Sequence, residues 1–177
     1  ASNRTFDHYL NRVIASLLCI DNPKNYRTEI IICSPIVKNQ TLYRNRTELT
    51  FVNDEMNDGA TSAFNKMCWG ANGNYIFILT DDHIIPSNIL QTIDFLESPT
   101  FKDKKYKITS LHSGQTCYIN KDKNWPFLLD LPEYVTMRFP VIYNKTLWDY
   151  FNGYIFNPSF KHGMVDMYLG YFLGEEG

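Results

Sequence analysis

The sequence carries little excess charge of either sign and has no long apolar run. Its 177 residues include 17 Lys and Arg against 19 Asp and Glu, a formal net charge of −2. A chain without a basic excess does not favour binding to a nucleic-acid backbone or to an anionic membrane. No apolar run approaches the roughly 20 residues that a membrane-spanning helix needs. We therefore expect no nucleic-acid partner and no membrane span.

Closely spaced cysteines are also missing. The four cysteines are far apart and form no CxxC pair, a spacing that argues against a zinc site and against a disulfide scaffold. Three of the four lie in apolar runs, where cysteine acts as a small hydrophobic residue. We expect reduced thiols and a cytoplasmic protein; the four are Cys19, Cys33, Cys68 and Cys117. The wealth of Asn and Lys and the scarcity of Ala are typical of an AT-rich genome, such as that of a large DNA virus.

Glycine and proline are sparse, with nine and eight residues. No Gly/Ser-rich linker, repeat or low-complexity tract divides the chain. Its length lies within the roughly 100–200 residues that are usual for one domain. We therefore expect a single domain over residues 1–177, which could itself be part of a longer protein.

The first hundred residues alternate between helical stripes and short runs that are apolar at every position. Such runs are typical of strands covered on both faces, as in a parallel sheet. Strands that alternate with helices at this spacing indicate an α/β fold with a mainly parallel sheet. The pattern predicts helices over 5–20, 60–71 and 86–96, and strands over 30–33, 49–54 and 75–79.

The second half is less regular. Residues 107–112 and 115–120 flank Ser113-Gly114 and are predicted to form a hairpin. An aromatic, Pro-containing stretch follows, and a last helix is predicted over 163–173. A regular α/β half followed by an irregular half favours a cofactor site in the first and a substrate site in the second.

Two adjacent carboxylates, Asp81 and Asp82, follow the most apolar strand. In open α/β sheets, ligands bind at the carboxyl ends of the strands. Paired carboxylates need a compensating positive charge, and Mg²⁺ or Mn²⁺ prefers such oxygen ligands. A metal there would neutralise a diphosphate and improve it as a leaving group. The alternative is that both residues only end the strand and cap the helix beyond Pro86; the pair alone favours that alternative.

The context of the pair resembles the nucleotide-sugar glycosyltransferases of the GT-A fold, especially the inverting family 2. Members of that family have an A-x-N turn in a helix, then A-x-G-x-Y-I before a D-x-D motif, then an apolar pair and Pro. The resemblance covers about residues 2–97. The matching elements here are Ala63-Phe64-Asn65, Ala71 to Ile76, Thr80-Asp81-Asp82, Ile84-Ile85-Pro86, the first helix and the strand in TEIIIC.

The resemblance implies a GT-A fold and the transfer of a sugar from a nucleoside diphosphate, with UDP favoured, to an acceptor hydroxyl. It implies Mn²⁺ or Mg²⁺ as cofactor, a glycan or other hydroxyl compound as acceptor, and inversion at the anomeric centre. Asp82 would bind the metal, and Asp81 would lie near the ribose or the sugar. Asn65 and Ser34 occupy positions at the donor site. Residues 1–97 would bind nucleotide-sugar and metal, and residues 98–177 the acceptor.

A later acidic residue serves as catalytic base in the family, and Asp166 occupies that place. It would take the proton of the acceptor hydroxyl. Its alternative role is that of an acid at a helix N-terminus, which the helix dipole favours. His162, in the loop before the same helix, is a candidate metal ligand. Four aromatic residues of the irregular half could line an acceptor site or belong to the core: Trp125, Trp148, Tyr150 and Tyr154.

Three departures from the family pattern leave alternatives open. The family begins with an apolar strand before its first helix, whereas this sequence starts in the loop that follows, so either an upstream segment exists or the opening is built differently. Ser34 stands where an acidic residue often reads the base, and Gly59-Ala60-Thr61 where a basic residue is usual. The alternatives are a nucleotidyltransferase, although no Gly-rich phosphate loop is visible, and an inactive nucleotide-sugar or glycan-binding domain.

Overall fold

The structure, a computed structural model, describes residues 8–35, 48–54, 56–81, 85–102, 107–110, 140–161 and 169. Helices and strands alternate through the first half of the chain. The helices in these ranges are α1 (His8–Leu18), α2 (Ala60–Gly70), α3 (Gln91–Leu96), α4 (Pro99–Lys102) and α5 (Asn144–Phe151). The strands are β1 (Ile30–Ser34), β2 (Leu49–Asn53), β3 (Tyr75–Phe77), β4 (Ile108–Ser110) and β5 (Pro140–Tyr143).

The strands β1 and β2 form a parallel pair, in register from Ile30 opposite Leu49 to Ser34 opposite Asn53. Helix α1 packs on this pair through its apolar stripe, with Leu10 and Ile14 against Ile32 and Leu49. The predicted first helix and the first two strands are therefore confirmed, with ends that differ by a few residues.

The other three described strands form an antiparallel sheet in the order β3–β5–β4. Ile76 of β3 and Ile108 of β4 both stand opposite Ile142 of β5. The expected mainly parallel sheet is therefore found only in β1 and β2 among the described residues. The sequence pattern missed β5 because its four residues, Pro-Val-Ile-Tyr, are embedded in an aromatic stretch and begin with Pro, a residue that disfavours strand interiors.

Helix α2 follows β2 and covers the sheets through its buried face. Its Cys68 packs with Ile76 and Ile78 of the β3 region, and with Leu147 of α5, in the largest apolar cluster. The helix also packs on β1 and β2. Its N-terminus begins after Gly59, whose φ of 99° is a conformation that favours glycine.

The predicted helix after Pro86 begins later than expected. Residues 87–90 form turns with bonds between residues three apart, such as Ile89 N–H to Pro86 O at 3.2 Å, and α3 starts only at Gln91. Ser87 is tied to Asp21 instead, because Asp21 N–H donates to Ser87 O and Ser87 Oγ donates to Asp21 Oδ2, both at 2.7 Å. This tertiary contact displaces the helix start.

Two predictions lie partly or wholly outside the described residues. Residues 115–120, the predicted hairpin partner of 107–112, are among these, so the hairpin stays a prediction. In the described part of the chain, β4 pairs with β5. The last helix over 163–173 is also outside, apart from Leu169, which is buried in the core. Within the described ranges no helix has the length and hydropathy needed to cross a membrane.

Candidate functional site

Three polar residues lie at or just beyond the carboxyl ends of the strands: Ser34 ends β1, Asp54 follows β2, and Asp81 follows the β3 region. Ser34 and Asp54 are 1% and 3% exposed, whereas Asp81 is partly exposed. Because β1 and β2 are parallel, Ser34 and Asp54 share one edge. Asp81 and Thr80 line a cavity of about 1020 Å³ that also reaches β1.

The buried carboxylate of Asp54 is compensated within the protein. Lys66 of α2 donates to Asp54 Oδ1 at 2.6 Å, and its Nζ lies 3.7 Å from Asp58 Oδ2. The hydrogen bond to Asp54 raises the pKa of Lys66 above its usual value. Sequence reasoning missed this pair; the available signal was an acidic residue directly after an apolar strand.

The thiol of Cys33 lies on β1 beside this pair. Burial is the main cause that raises its pKa to about 11, and the charge of Asp54 adds to the effect. A thiol with such a pKa stays protonated at neutral pH and is a poor nucleophile or metal ligand. We therefore interpret Cys33 as a residue that packs near the carboxyl edge of β1 and β2 and takes no part in chemistry.

Asn65, a predicted donor-site residue, is 2% exposed on α2. Its Nδ2 donates to Phe156 O at 2.9 Å, and its Oδ1 accepts from Phe156 N–H at 3.2 Å. One helical turn later, Trp69 Nε1 donates to Gly153 O at 2.6 Å. These contacts tie residues 153–156 to α2, a role that the sequence did not reveal. A part for Asn65 in donor binding stays a prediction.

Several predicted site residues lie outside the described residues. These are Asp82, His162 and Asp166, together with Trp125 of the aromatic set. Among the described residues there is no group of three or more His, Cys, Asp or Glu side chains that could hold a metal ion. Of the predicted metal and donor residues, the structure thus places Asp81, Ser34 and Asn65, of which Ser34 and Asn65 are buried.

Three of the four aromatic residues considered for the acceptor site are within the described residues. Trp148, Tyr150 and Tyr154 are each about half exposed. Tyr154 contacts Trp69 edge to face at 5.0 Å between ring centroids. Trp69 is the penultimate residue of α2, and the chain runs from the end of α2 to the amino end of β3. The Tyr154 ring therefore lies away from the carboxyl edge that carries Asp81.

The fold resembles that of Staphylococcus aureus TarS. The crystal structure of TarS 1–349 in complex with UDP matches with a TM-score of 0.58 and 16% identity, over 92% of this chain and 50% of that one. A second crystal structure of TarS 1–349 matches with a TM-score of 0.57 and 18% identity, over 92% of this chain and 51% of that one. The longer TarS structure matches with a TM-score of 0.58 and 17% identity, over 92% of this chain and 31% of that one.

This chain thus spans about half the length of TarS 1–349. No protein-family model matches the sequence, and no curated protein matches it. At this level of identity the likeness shows a shared α/β fold, which confirms the expected α/β class; the GT-A assignment stays a prediction.

Proposed function

We propose that this chain is part of a glycosyltransferase with a GT-A fold that transfers a sugar from a UDP-sugar to an acceptor hydroxyl. The observation that carries the proposal is the position of Asp81. It follows a buried strand at a cavity, in a fold shared with TarS, which is itself a glycosyltransferase and has been crystallised with UDP. Ligands of open α/β sheets bind at such strand ends.

The donor set at this position fits a hard divalent cation. Carboxylate oxygens are the ligands that Mg²⁺ and Mn²⁺ prefer, and the pair Asp81-Asp82 offers them in sequence. Asp54 is not free for this purpose because Lys66 already compensates it. We assign the metal to Asp82, with His162 as a further candidate ligand. A bound Mn²⁺ or Mg²⁺ would neutralise the leaving diphosphate.

The remaining roles belong to side chains of this chain. Asp81 would hold the ribose or the sugar of the donor, with Ser34 at the base. Asp166 would accept the proton of the acceptor hydroxyl as that oxygen bonds to the anomeric carbon. As that bond forms, the bond from the anomeric carbon to the diphosphate oxygen breaks, and UDP leaves with the electron pair. Attack opposite the leaving group inverts the anomeric centre.

Product analysis tests the proposal. The chain is incubated with UDP-sugars and Mn²⁺, with and without simple sugar acceptors, and the nucleotide products are separated by chromatography. We expect UDP as the product, and a rate at least about 100-fold lower for Asp82→Asn and Asp166→Asn. The matched control is Asp149→Asn, which changes an exposed carboxylate on α5 and should keep the full rate.

Other products would contradict the proposal. Release of pyrophosphate would identify a nucleotidyltransferase. UDP-sugar binding without any product, unchanged by Asp166→Asn, would identify a binding domain.

A further inference from the structure

Three aromatic side chains form one exposed patch beside the end of α5. Trp69 of α2 contacts Tyr154 edge to face, with 5.0 Å between the ring centroids. Trp148 of α5 adjoins Trp69, because Trp148 Cζ3 and Trp69 Nε1 lie 2.6 and 3.1 Å from the position that a Cβ of Gly153 would occupy. Each of the three side chains is about half exposed. We call Trp69, Trp148 and Tyr154 the aromatic patch.

The backbone beyond α5 holds one of these rings in place. Asn152 ends α5 in the left-handed conformation, and Gly153 follows with a φ of +80°. Gly153 N–H closes this turn by donating to Leu147 O at 3.0 Å. Gly153 O accepts in turn from Trp69 Nε1 at 2.6 Å. The Trp69 ring is thus fixed before any ligand binds, which lowers the entropic cost of covering it.

The core is filled without the aromatic patch. Residues next to the three rings in the chain, namely Cys68, Leu147 and Ile155, belong to the largest apolar cluster and are almost fully buried. The rings themselves remain in contact with water. Single exposed apolar residues need no explanation, whereas a contiguous exposed group of them is typical of a binding surface.

The size of the aromatic patch favours a small or extended ligand over a protein. A buried Trp or Tyr side chain covers about 150–250 Å², so three half-exposed ones present roughly 300 Å². Each partner of a stable protein pair buries about 800 Å². The large aliphatic residues that are exposed in the described ranges do not extend the patch, since Leu18 lies on α1 and Met56 in the loop before α2.

The chemistry of the aromatic patch fits a neutral sugar. A pyranose ring has an apolar face of C–H groups, which stacks on aromatic rings, and a rim of hydroxyls, which form hydrogen bonds. The three rings supply the apolar surface. The exposed side chains of Asn152 and Tyr154, on either side of Gly153, supply an amide and a hydroxyl. None of these side chains is charged, so the patch offers no attraction to a phosphate or another ionic ligand.

The aromatic patch and Asp81 are related to opposite ends of β3. The chain runs from Trp69 to Tyr75 at the amino end of this strand, and Asp81 follows its carboxyl end. Strand residues advance about 3.3 Å, so the six positions from Tyr75 to Asp81 span about 20 Å. A single sugar bound at Asp81 would not reach the patch, whereas a chain of several sugars could contact both.

We propose that the aromatic patch binds a neutral oligosaccharide, namely sugars of the acceptor chain that are distant from the reacting hydroxyl. The identification with the acceptor rests on the proposed function, whereas binding of a sugar chain to the patch is independent of it. Contacts with these distant sugars are equally strong before and during the reaction. They therefore lower KM for a long acceptor and leave kcat unchanged.

Titrations without nucleotide test the binding. The probes are maltohexaose, cellohexaose and N-acetylchitohexaose, and the indole N–H signals of the protein are followed by NMR. We expect at least one hexasaccharide to shift the signals of Trp69 and Trp148, which are assigned from Trp69→Phe and Trp148→Phe. Trp148→Ala and Tyr154→Ala should each weaken its binding at least about fivefold.

The matched control is Phe95→Ala, which removes a half-exposed ring on α3 outside the patch and should bind the sugar like the parent. Backbone amide spectra verify that each variant is folded. Tyr154→Ala serves as the test if Trp148→Ala fails to fold.

Transfer rates test the identification with the acceptor. With a UDP-sugar as donor, Trp148→Ala should raise KM for the hexasaccharide that binds at least about fivefold and keep the parental kcat. KM for the corresponding monosaccharide should stay unchanged. An equal rise of KM for the monosaccharide would contradict the proposal, because the patch would then contact the sugar that reacts.

Two further results would overturn the proposal. One is that none of the three hexasaccharides shifts either indole signal, or that the variants bind as tightly as the parent. The other is that both signals shift with protein concentration in the absence of sugar, which would assign the patch to a second copy of the chain. Sugar binding at the patch without any release of UDP would support the binding site and contradict only the proposed function.

Discussion

The side-chain amide of Asn65 holds both backbone groups of Phe156, as donor to its carbonyl and acceptor of its N–H, at 2.9 and 3.2 Å. The two residues are 91 positions apart, and both are buried. This contact fixes the loop that precedes His162 and Asp166 against α2. The irregular half of the chain is thus attached to the α/β half by hydrogen bonds as well as by apolar packing.

Replacement of Asn65 by Ala should therefore destabilise the protein. Two buried backbone groups of Phe156 would lose their partners, which we expect to lower the free energy of unfolding by about 2–4 kcal/mol. Urea denaturation measures the change. Asn88→Ala, at an exposed turn, is the matched control and should stay within about 0.5 kcal/mol of the parent. An equally small effect for Asn65→Ala would show that the hydrogen bonds between Asn65 and Phe156 do not form.

The ion pair of Lys66 with the buried Asp54 gives a second prediction. Lys66→Met leaves a carboxylate that is 3% exposed without its cation, so we expect a loss of about 3–5 kcal/mol. The control Lys145→Met breaks an exposed i,i+4 pair with Asp149 and should cost about 0.5 kcal/mol or less. The double variant Asp54→Asn/Lys66→Met should recover part of the loss; no recovery would contradict the pairing.

The same pair predicts the direction of a pH effect. The hydrogen bond to Asp54 raises the pKa of Lys66 above its usual value of 10.5, so the stabilisation from this pair is complete below the unfolded pKa. It is lost as pH rises through the higher folded pKa. Unfolding free energies measured on either side of pH 10.5 should fall less steeply with pH in Lys66→Met than in the parent. Identical slopes would contradict the assignment.

Gly153 should not tolerate a side chain. Its φ is +80°, and an added Cβ would lie 2.6 Å from Trp148 Cζ3. We expect Gly153→Ala to cost at least about 2 kcal/mol, from the left-handed backbone and the clash together. At Gly70 an added Cβ would meet only Val52 Cγ2, at 3.6 Å. Gly70→Ala should therefore be neutral or stabilise by up to about 1 kcal/mol. Thermal melts of both variants test this contrast.

The buried thiols should be inert. Burial raises the pKa of Cys33 to about 11 and that of Cys68 to about 12, so at pH 8 only about one thiol in a thousand or fewer is ionised. In a Cys117→Ser background, iodoacetamide should modify the exposed Cys19 first, and the other two only after denaturation. Mass spectrometry identifies the sites. Modification of Cys33 in the folded protein at the rate of Cys19 would contradict its burial.

The sequence predicted those elements whose signal is local. The all-apolar run from Ile30 to Cys33 identifies a strand that is covered on both faces. The apolar stripe of α1 identifies a helix that is buried on one face. Strand β5 was missed because its partners are 30 to 68 residues distant in the chain. Its burial at Val141 and Ile142, both 0% exposed, is a property of the assembled sheet.

The candidate site divides in the same way. Asp81 could be recognised because an acidic residue follows a strongly apolar strand, and its place at a cavity agrees with that interpretation. The hydrogen bonds between Asn65 and Phe156 depend on how α2 packs on its neighbours. The same is true of the ion pair between Asp54 and Lys66. No spacing rule within the sequence connects residues 65 and 156, so only the fold reveals their contact.

The most direct test of the account is a calorimetric titration of the chain with UDP, in Mn²⁺ and again in EDTA. We predict saturable binding of one UDP in Mn²⁺, weakened at least about tenfold by EDTA and by Asp82→Asn, and little heat with GDP. The Asp149→Asn variant should bind UDP like the parent. An absence of UDP binding in Mn²⁺ up to millimolar nucleotide would contradict the proposal that this fold carries a nucleotide-sugar site.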